Sequence, residues 1–202
     1  MCKSGKGIRI HWGLQFYFFD MNRIMKEEGF EMENMYRPGG KDYLHVNDDR
    51  ILKIDSEYIE HLKSLARNNS EGKCMMCLHN DIRENFHELV SVYPANIYLR
   101  PHKHSNKTET TTIVEGRLMI VIWDSEGEIL EKYVLDKNGI FATRLDKGTF
   151  HSFLPLTDVV FYEAKTGPFT VKEEDSLFPG WAPNLDDEEG IKKIMDKIMK
   201  WG

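Results

Sequence analysis

The chain has 202 residues and a formal net charge of −6, with 33 Asp and Glu against 27 Lys and Arg. That acidic balance argues against a nucleic-acid footprint, which needs clustered Lys and Arg on a basic domain. No apolar run approaches the length of a membrane span, and three cysteines cannot form a paired framework, so a reducing, cytoplasmic setting is expected.

Residues 1–50 read as an extension of unclear structure. "MCKSGKGIRIHWGLQFYFF" sets Lys3, Lys6 and Arg9 ahead of aromatics, as a secretion signal does. His11, Gly13 and Gln15 interrupt the apolar part and no small-residue cleavage site follows, so no signal is expected. A Pro-Gly-Gly break falls at Pro38 to Gly40.

Residues 51–93 read as a helical lead-in. In "IDSEYIEHLKSLARNN", Tyr58, Ile59, Leu62, Leu65 and Ala66 share one helical face, and Asp55 or Ser56 can cap it. A second short helix is expected at Asp81 to Val90, where Ile82, Phe86 and Leu89 share a side. Between them "CMMCLH" offers half of a zinc site, but no second Cys pair exists and Cys2 is remote. Cys74 and Cys77 are therefore expected to hold no zinc.

From residue 94 to residue 183 the texture changes to strands. "NIYLRPH", "TTTIVEG", "RLMIVIW", "ILEKYVL", "GIFATRL", "HSFLPL" and "VVFYEAK" are short and β-branched or aromatic. Turns at Asp124 to Gly127 and Asp136 to Gly139 separate some of them. The fold class is mainly β, a sandwich or barrel with short flanking helices, running from about Tyr93 to Lys165. Ile120, Ile122, Val134 and Phe161 are expected in its core. Residues 184–202 end in an amphipathic helix with Ile191, Ile194, Met195, Ile198 and Met199 on one stripe, acids leading and lysines finishing. The stripe packs on the barrel or, in a sharper reading, forms a homodimer contact.

The chemistry concentrates in "LRPHKHSNKTETTTIVEG", Leu99 to Gly116. On a strand His102 and His104 point one way and Lys103 the other. "SNKT" can reverse the chain and bring Glu109 beside them, and "LDKGTFHSFLP" supplies His151 after a tight turn at Gly148. Three imidazoles and a carboxylate make a site for one divalent transition metal: Fe, Mn, Ni, Co, Cu or Zn. Substrate contacts are expected among Tyr98, which shares the histidines' face, Arg100, Arg117, Glu163, Lys165 and His79. Arg100 can equally cap a carbonyl, and Glu163 and Lys165 are either a solvated pair or part of the barrel mouth. The cations Arg100, Lys107, Arg117 and Lys165 fit an anionic ligand such as phosphate or carboxylate. The alternative is that they are solvated surface charges. Trp181 is expected to cover the barrel end.

The run His102-x-His104-x₄-Glu109-x₆-Gly116 resembles the first cupin motif, with Asn96 where that motif begins with glycine. Gly148-x₂-His151 resembles part of the second, with Asp146 in place of proline and Pro155 in place of the final asparagine. "YLRPHKH", "VEGRLMIVIWDSEGEILE", "KGTFHSF", "VVFYEAKTGPF" and "WAP" are similar to the WbuC-type cupin-fold metalloproteins, over about Ile54 to Pro183. The resemblance implies a metal-bearing cupin jelly roll, often encoded with O-antigen or other surface-polysaccharide genes. It implies no settled reaction and no catalytic residue. The leading expectation is a metal-dependent enzyme, an isomerase, epimerase or hydrolase, acting on a small polar substrate such as a sugar or nucleotide sugar. An Fe(II) dioxygenase is the second reading, and a non-catalytic metal- or sugar-binding module the third.

Overall fold

The computed structural model describes residues 43–45, 52–68, 72–79, 81–169 and 175–202. The expectations for residues 1–42 lie outside these. The first helix, α1 (Ser56–Asn68), starts where Asp55 Oδ1 accepts from the Tyr58 amide at 2.9 Å, satisfying one orphan N–H of the first turn. Its buried residues Tyr58, Leu62 and Ala66 recur every fourth position, and they pack on Cys74, Met76, Val90, Val92 and Val160.

Nine strands accompany it among the described residues: β1 (Tyr43–His45), β2 (Cys74–Cys77), β3 (Phe86–Tyr93), β4 (Glu109–Glu115), β5 (Arg117–Trp123), β6 (Ile129–Asp136), β7 (Ala142–Leu145), β8 (Phe150–Pro155) and β9 (Val159–Thr166). One sheet runs β1-β2-β3-β9-β4-β7 and the other β6-β5-β8. The segment carrying His102 lies along the outer edge of β8, because His102 and His151 exchange backbone hydrogen bonds at 3.0 and 2.8 Å. The layers β3-β9-β4-β7 and His102 segment-β8-β5-β6 therefore face each other, and the chain alternates between them as a jelly roll does. This is the mainly β barrel of two facing sheets, with short flanking helices, expected from the sequence.

Period-2 alternation sorts the side chains. Leu118, Ile120, Phe153 and Phe161 fill the space between the sheets, with Tyr93 and Phe153 edge-on to Phe161 at 5.2 and 5.9 Å. Val121, Trp123, Ile129 and Leu154 point outward and are covered by Trp181 and by α2 (Glu188–Lys200), whose Ile198 is buried against them. The tail helix thus packs on the barrel. Trp181 lies tilted against Trp123, ring centres 5.2 Å apart, on the outer face of the second sheet.

Two expectations are corrected. No helix spans Asp81 to Val90: a turn leads into β3 at Phe86, itself 53% exposed. β3 is paired on both edges, sends His87, Leu89, Ser91 and Tyr93 inward, and buries Val90 and Val92 under α1. Burial of both faces hides a strand's alternation. The lead-in consequently supplies β2 and β3 as well as a helix. Val134 lies between inward-facing Tyr133 and Leu135, so it points away from the core and is half-buried. Cys74 packs under α1. Cys77, three positions along the same strand, faces the opposite side, so the two thiols cannot share one ion.

Two residues of the resemblance find their physical reason here. Gly116, joining β4 to β5, has φ +80°, and a Cβ there would lie 2.2 Å from the Asp158 carbonyl. Asn96 has φ 62°. Among residues with a Cβ, Asn is one of the few that enters this region readily, which is how it stands in for glycine.

Candidate metal centre

His102, His104 and His151 converge at one end of the barrel interior, each offering a ring nitrogen within 4.8 Å of the others'. His104 and His151 are buried and His102 half-buried. The backbone fixes all three rings in the same sense. His102 Nδ1 lies 3.0 Å from the Arg100 carbonyl, His104 Nδ1 2.5 Å from the Asp175 carbonyl, and His151 Nδ1 3.0 Å from the Thr149 carbonyl. A carbonyl accepts only, so each Nδ1 donates and each Nε2 keeps its lone pair for the centre.

Glu109 lies beside two of the three histidines. Its carboxylate is 2% exposed, with Oε1 2.8 Å from His151 Nε2 and Oε2 3.4 Å from His104 Nε2. Those two Nε2 atoms and both carboxylate oxygens are buried with no well-directed hydrogen bond. Buried polar atoms left in that state are costly unless a cation draws them together. Three neutral nitrogens and one anionic oxygen fit a first-row divalent ion. Such an ion polarises a substrate oxygen or acidifies a bound water.

The protein's own charges support that reading. Burial, helped by the neighbouring His151, pushes His102 down to about 3, into the neutral form that ligates. Burial opposes ionisation of Glu109, but Lys165, His151 and the contact with His104 outweigh it and hold the carboxyl well below its usual range. Burial likewise opposes protonation of His151, yet Glu109 overrides it and raises that imidazole.

Behind the carboxylate a buried polar chain runs across the first sheet. Lys165 Nζ sits 3.3 Å from Glu109 Oε2 and 3.3 Å from Glu163 Oε1, and the Ser91 hydroxyl reaches Glu163 at 3.5 Å. Glu163 and Lys165 therefore belong to the barrel interior, next to the centre. The other expected contacts are placed elsewhere. The Tyr98 hydroxyl donates to the Pro183 carbonyl at 3.1 Å, and Arg100 donates to the Ala182 carbonyl at 3.0 and 3.2 Å. Both anchor the segment after the barrel. Arg117 stands at the other end of β5 from Ile122, the partner of His151, and faces Asp136 at 3.7 Å. His79 is buried, stacked on His87 at 4.0 Å, with Nδ1 against the Glu88 backbone.

Sequence reasoning missed the strap that closes over the histidine strand. Leu177 pairs with Lys103 through two backbone bonds, and Phe178 packs near His102 at 5.8 Å and under Arg100 at 4.7 Å. Asp175 gives its carbonyl to His104 and its carboxylate to buried Lys107. Asp175 lies 71 residues from His104, so no local spacing points to it. Each of the four cations expected to bind an anion is thus engaged: Arg100 by a carbonyl, Lys107 by Asp175, Arg117 by Asp136, Lys165 by two carboxylates.

Residues 54–135 match the model of a domain of unknown function, DUF6016. No protein of curated function matches in sequence. Among solved structures, the chain is similar to the capsular polysaccharide assembling protein CapF from Staphylococcus aureus, at 19% identity and a TM-score of 0.45, over 52% of this chain and 31% of that one. An oxalate oxidase in complex with glycolate shares 16% identity at a TM-score of 0.41, over 52% and 56% of the two chains. An oxalate decarboxylase from Bacillus subtilis shares 15% at 0.40, over 48% and 24%. The chain spans less than two thirds of each of these proteins.

Proposed function

We propose that this chain is a metal-dependent enzyme acting on a small polar substrate, with His102, His104, Glu109 and His151 holding the ion. The observation that carries the reading is the common orientation of the three imidazoles, every Nδ1 tied to a carbonyl and every Nε2 left for one centre beside a buried carboxylate. A sugar or nucleotide sugar of surface-polysaccharide assembly is the substrate class that the resemblance to WbuC-type proteins supports. Glu163 and Lys165 then act on the site through Glu109, holding its carboxylate ionised and oriented.

The test has two stages. Elemental analysis of purified protein should find about one transition-metal ion per chain, and His104→Ala should remove most of it while the barrel stays folded by circular dichroism. Full metal content in that variant sinks the site. Metal-loaded protein is then incubated with sugars and nucleotide sugars, and products are followed by NMR. Conversion of at least one supports the enzyme reading. Tight binding without turnover across the panel leaves a binding module, and substrate-dependent oxygen uptake by iron-loaded protein makes it a dioxygenase.

A further inference from the structure

Between β6 and β7 the two sheets part, leaving a solvent-open cleft of about 500 Å³. Side chains that point between the sheets line it: Ile122, Glu131 and Tyr133 from one layer, Thr143 and Leu145 from the other, with Thr149 at the rim. Ile122 is the register partner of His151, and Leu145 that of Glu109. Two residues of the cleft wall are thus the cross-strand neighbours, about 5 Å away between backbones, of two residues of the metal centre.

Its chemistry is neutral to acidic. Tyr133 and Thr143 join their hydroxyls across the gap at 2.6 Å. Glu131 is exposed and makes no ion pair among the described residues. The one cation of the lining, Arg144, already faces Asp146 at 2.7 Å. Ile122, Ile140 and Leu145 add C–H surface. Hydroxyls and a carboxylate above aliphatic side chains recognise a polyhydroxyl compound, whose O–H groups donate to the carboxylate and exchange with the hydroxyl pair. A phosphate or carboxylate meets no unengaged cation here, and would lie near Glu131.

We propose that the β6–β7 cleft is the substrate-binding site and that it takes a neutral, hydroxyl-rich molecule of monosaccharide size, held by Tyr133, Thr143 and Glu131 and directed at His151 and Glu109. The volume lies within the ordinary range of small-molecule sites. The inference rests on the metal-centre reading for its orientation and deepens it by naming the substrate class.

The experiment is calorimetric titration of metal-loaded protein with D-glucose, D-galactose, D-mannose and L-rhamnose, and with the 1-phosphate of each. At least one neutral sugar should bind at concentrations up to about 10 mM, and its phosphate should bind more weakly. Tyr133→Phe and Thr143→Val should each weaken it about tenfold, with melting temperature and metal content unchanged, and Thr143→Ser should recover most of the loss. No neutral binding, tighter binding of the phosphate, or wild-type affinity in both hydroxyl variants overturns the proposal. Metal content measured on the same samples separates the two readings. Sugar binding that depends on Tyr133 and Thr143 in a protein that takes up no metal keeps the cleft and discards the metal centre. Metal uptake with unaltered binding in the cleft variants does the reverse.

Discussion

His151 and Glu109 meet at 2.8 Å through atoms that are both acceptors once His151 Nδ1 donates to Thr149. Two acceptors that close repel unless positive charge stands between them. In metal-free protein a proton takes that place, which is why Glu109 raises His151 against the opposing effect of burial. Metal loading should therefore release about one proton per ion and weaken as pH falls. Titration of metal into weakly buffered protein with an indicator checks this, and uptake without proton release contradicts it. His102 bears on folding in the other direction. Its folded pKa of about 3 lies below the ordinary value near 6.5, so between those limits the unfolded chain holds the extra proton. Stability from this group is lost as pH falls across that window, by about 1.4 kcal/mol per pH unit. His102→Ala should flatten the acid limb of urea-unfolding stability by roughly that slope, and an unchanged limb refutes the assignment. His151, raised when folded, contributes fully below about 6.5 and fades as pH rises through its folded value. Asp175 touches no metal-facing atom, yet Asp175→Ala should lower metal affinity about tenfold or more by freeing buried Lys107 and loosening the strap against His104. Competition with a chromophoric chelator measures it. Wild-type affinity would make the strap irrelevant to the centre.

Strands β4 to β9 were legible because each is rich in β-branched or aromatic residues and has turn residues near its ends, while the stretch that leads into and forms β3 carries Ile82, Phe86 and Leu89 at helical spacing. The segment "NIYLRPH" was expected as a strand and pairs only at its last residue, His102, the pairing continuing at Lys103 just beyond it. Pairing with β8 on one side and with Leu177 on the other is what extends it, and the second partner lies far downstream. The passage from β4 to β5 carries the chain from one sheet to the other, and it depends on the backbone of Gly116. Gly116→Ala combines a strained φ with a Cβ 2.2 Å from a carbonyl oxygen. It should cost about 2 kcal/mol or more, read as a lowered denaturant midpoint. A variant within a few tenths of wild type would mean the turn can reshape without loss.

At the scale of the whole molecule, the four residues of the centre were readable because they fall in two short stretches, each with its own spacing and turn. The cleft and the strap were not, since Tyr133, Thr143 and Asp175 gain their meaning only when the two sheets face each other. The same two-layer arrangement divides the molecule into an inner face that carries chemistry and outer faces that carry stability. α2 belongs wholly to the outside. Ile198 packs on Val121, Trp123 and Leu154, and the helix is fixed at its end by Lys132 donating to the Ile198 carbonyl at 3.0 Å and by Lys197 donating to the Gly127 carbonyl at 2.8 Å. Val121 and Ile122 are neighbours on β5, but the first faces α2 and the second faces the cleft. Ile198→Ala should accordingly cost about 2–4 kcal/mol while leaving metal stoichiometry and sugar affinity as in wild type. Phe161→Ala, at the centre of the inner core, on the strand that carries Glu163 and in the sheet that holds Glu109, should cost about 3–5 kcal/mol and weaken metal binding as well. Thermal melts and metal analysis on the two variants make the comparison. If Ile198→Ala strips the metal while Phe161→Ala keeps it, the division between the faces is wrong.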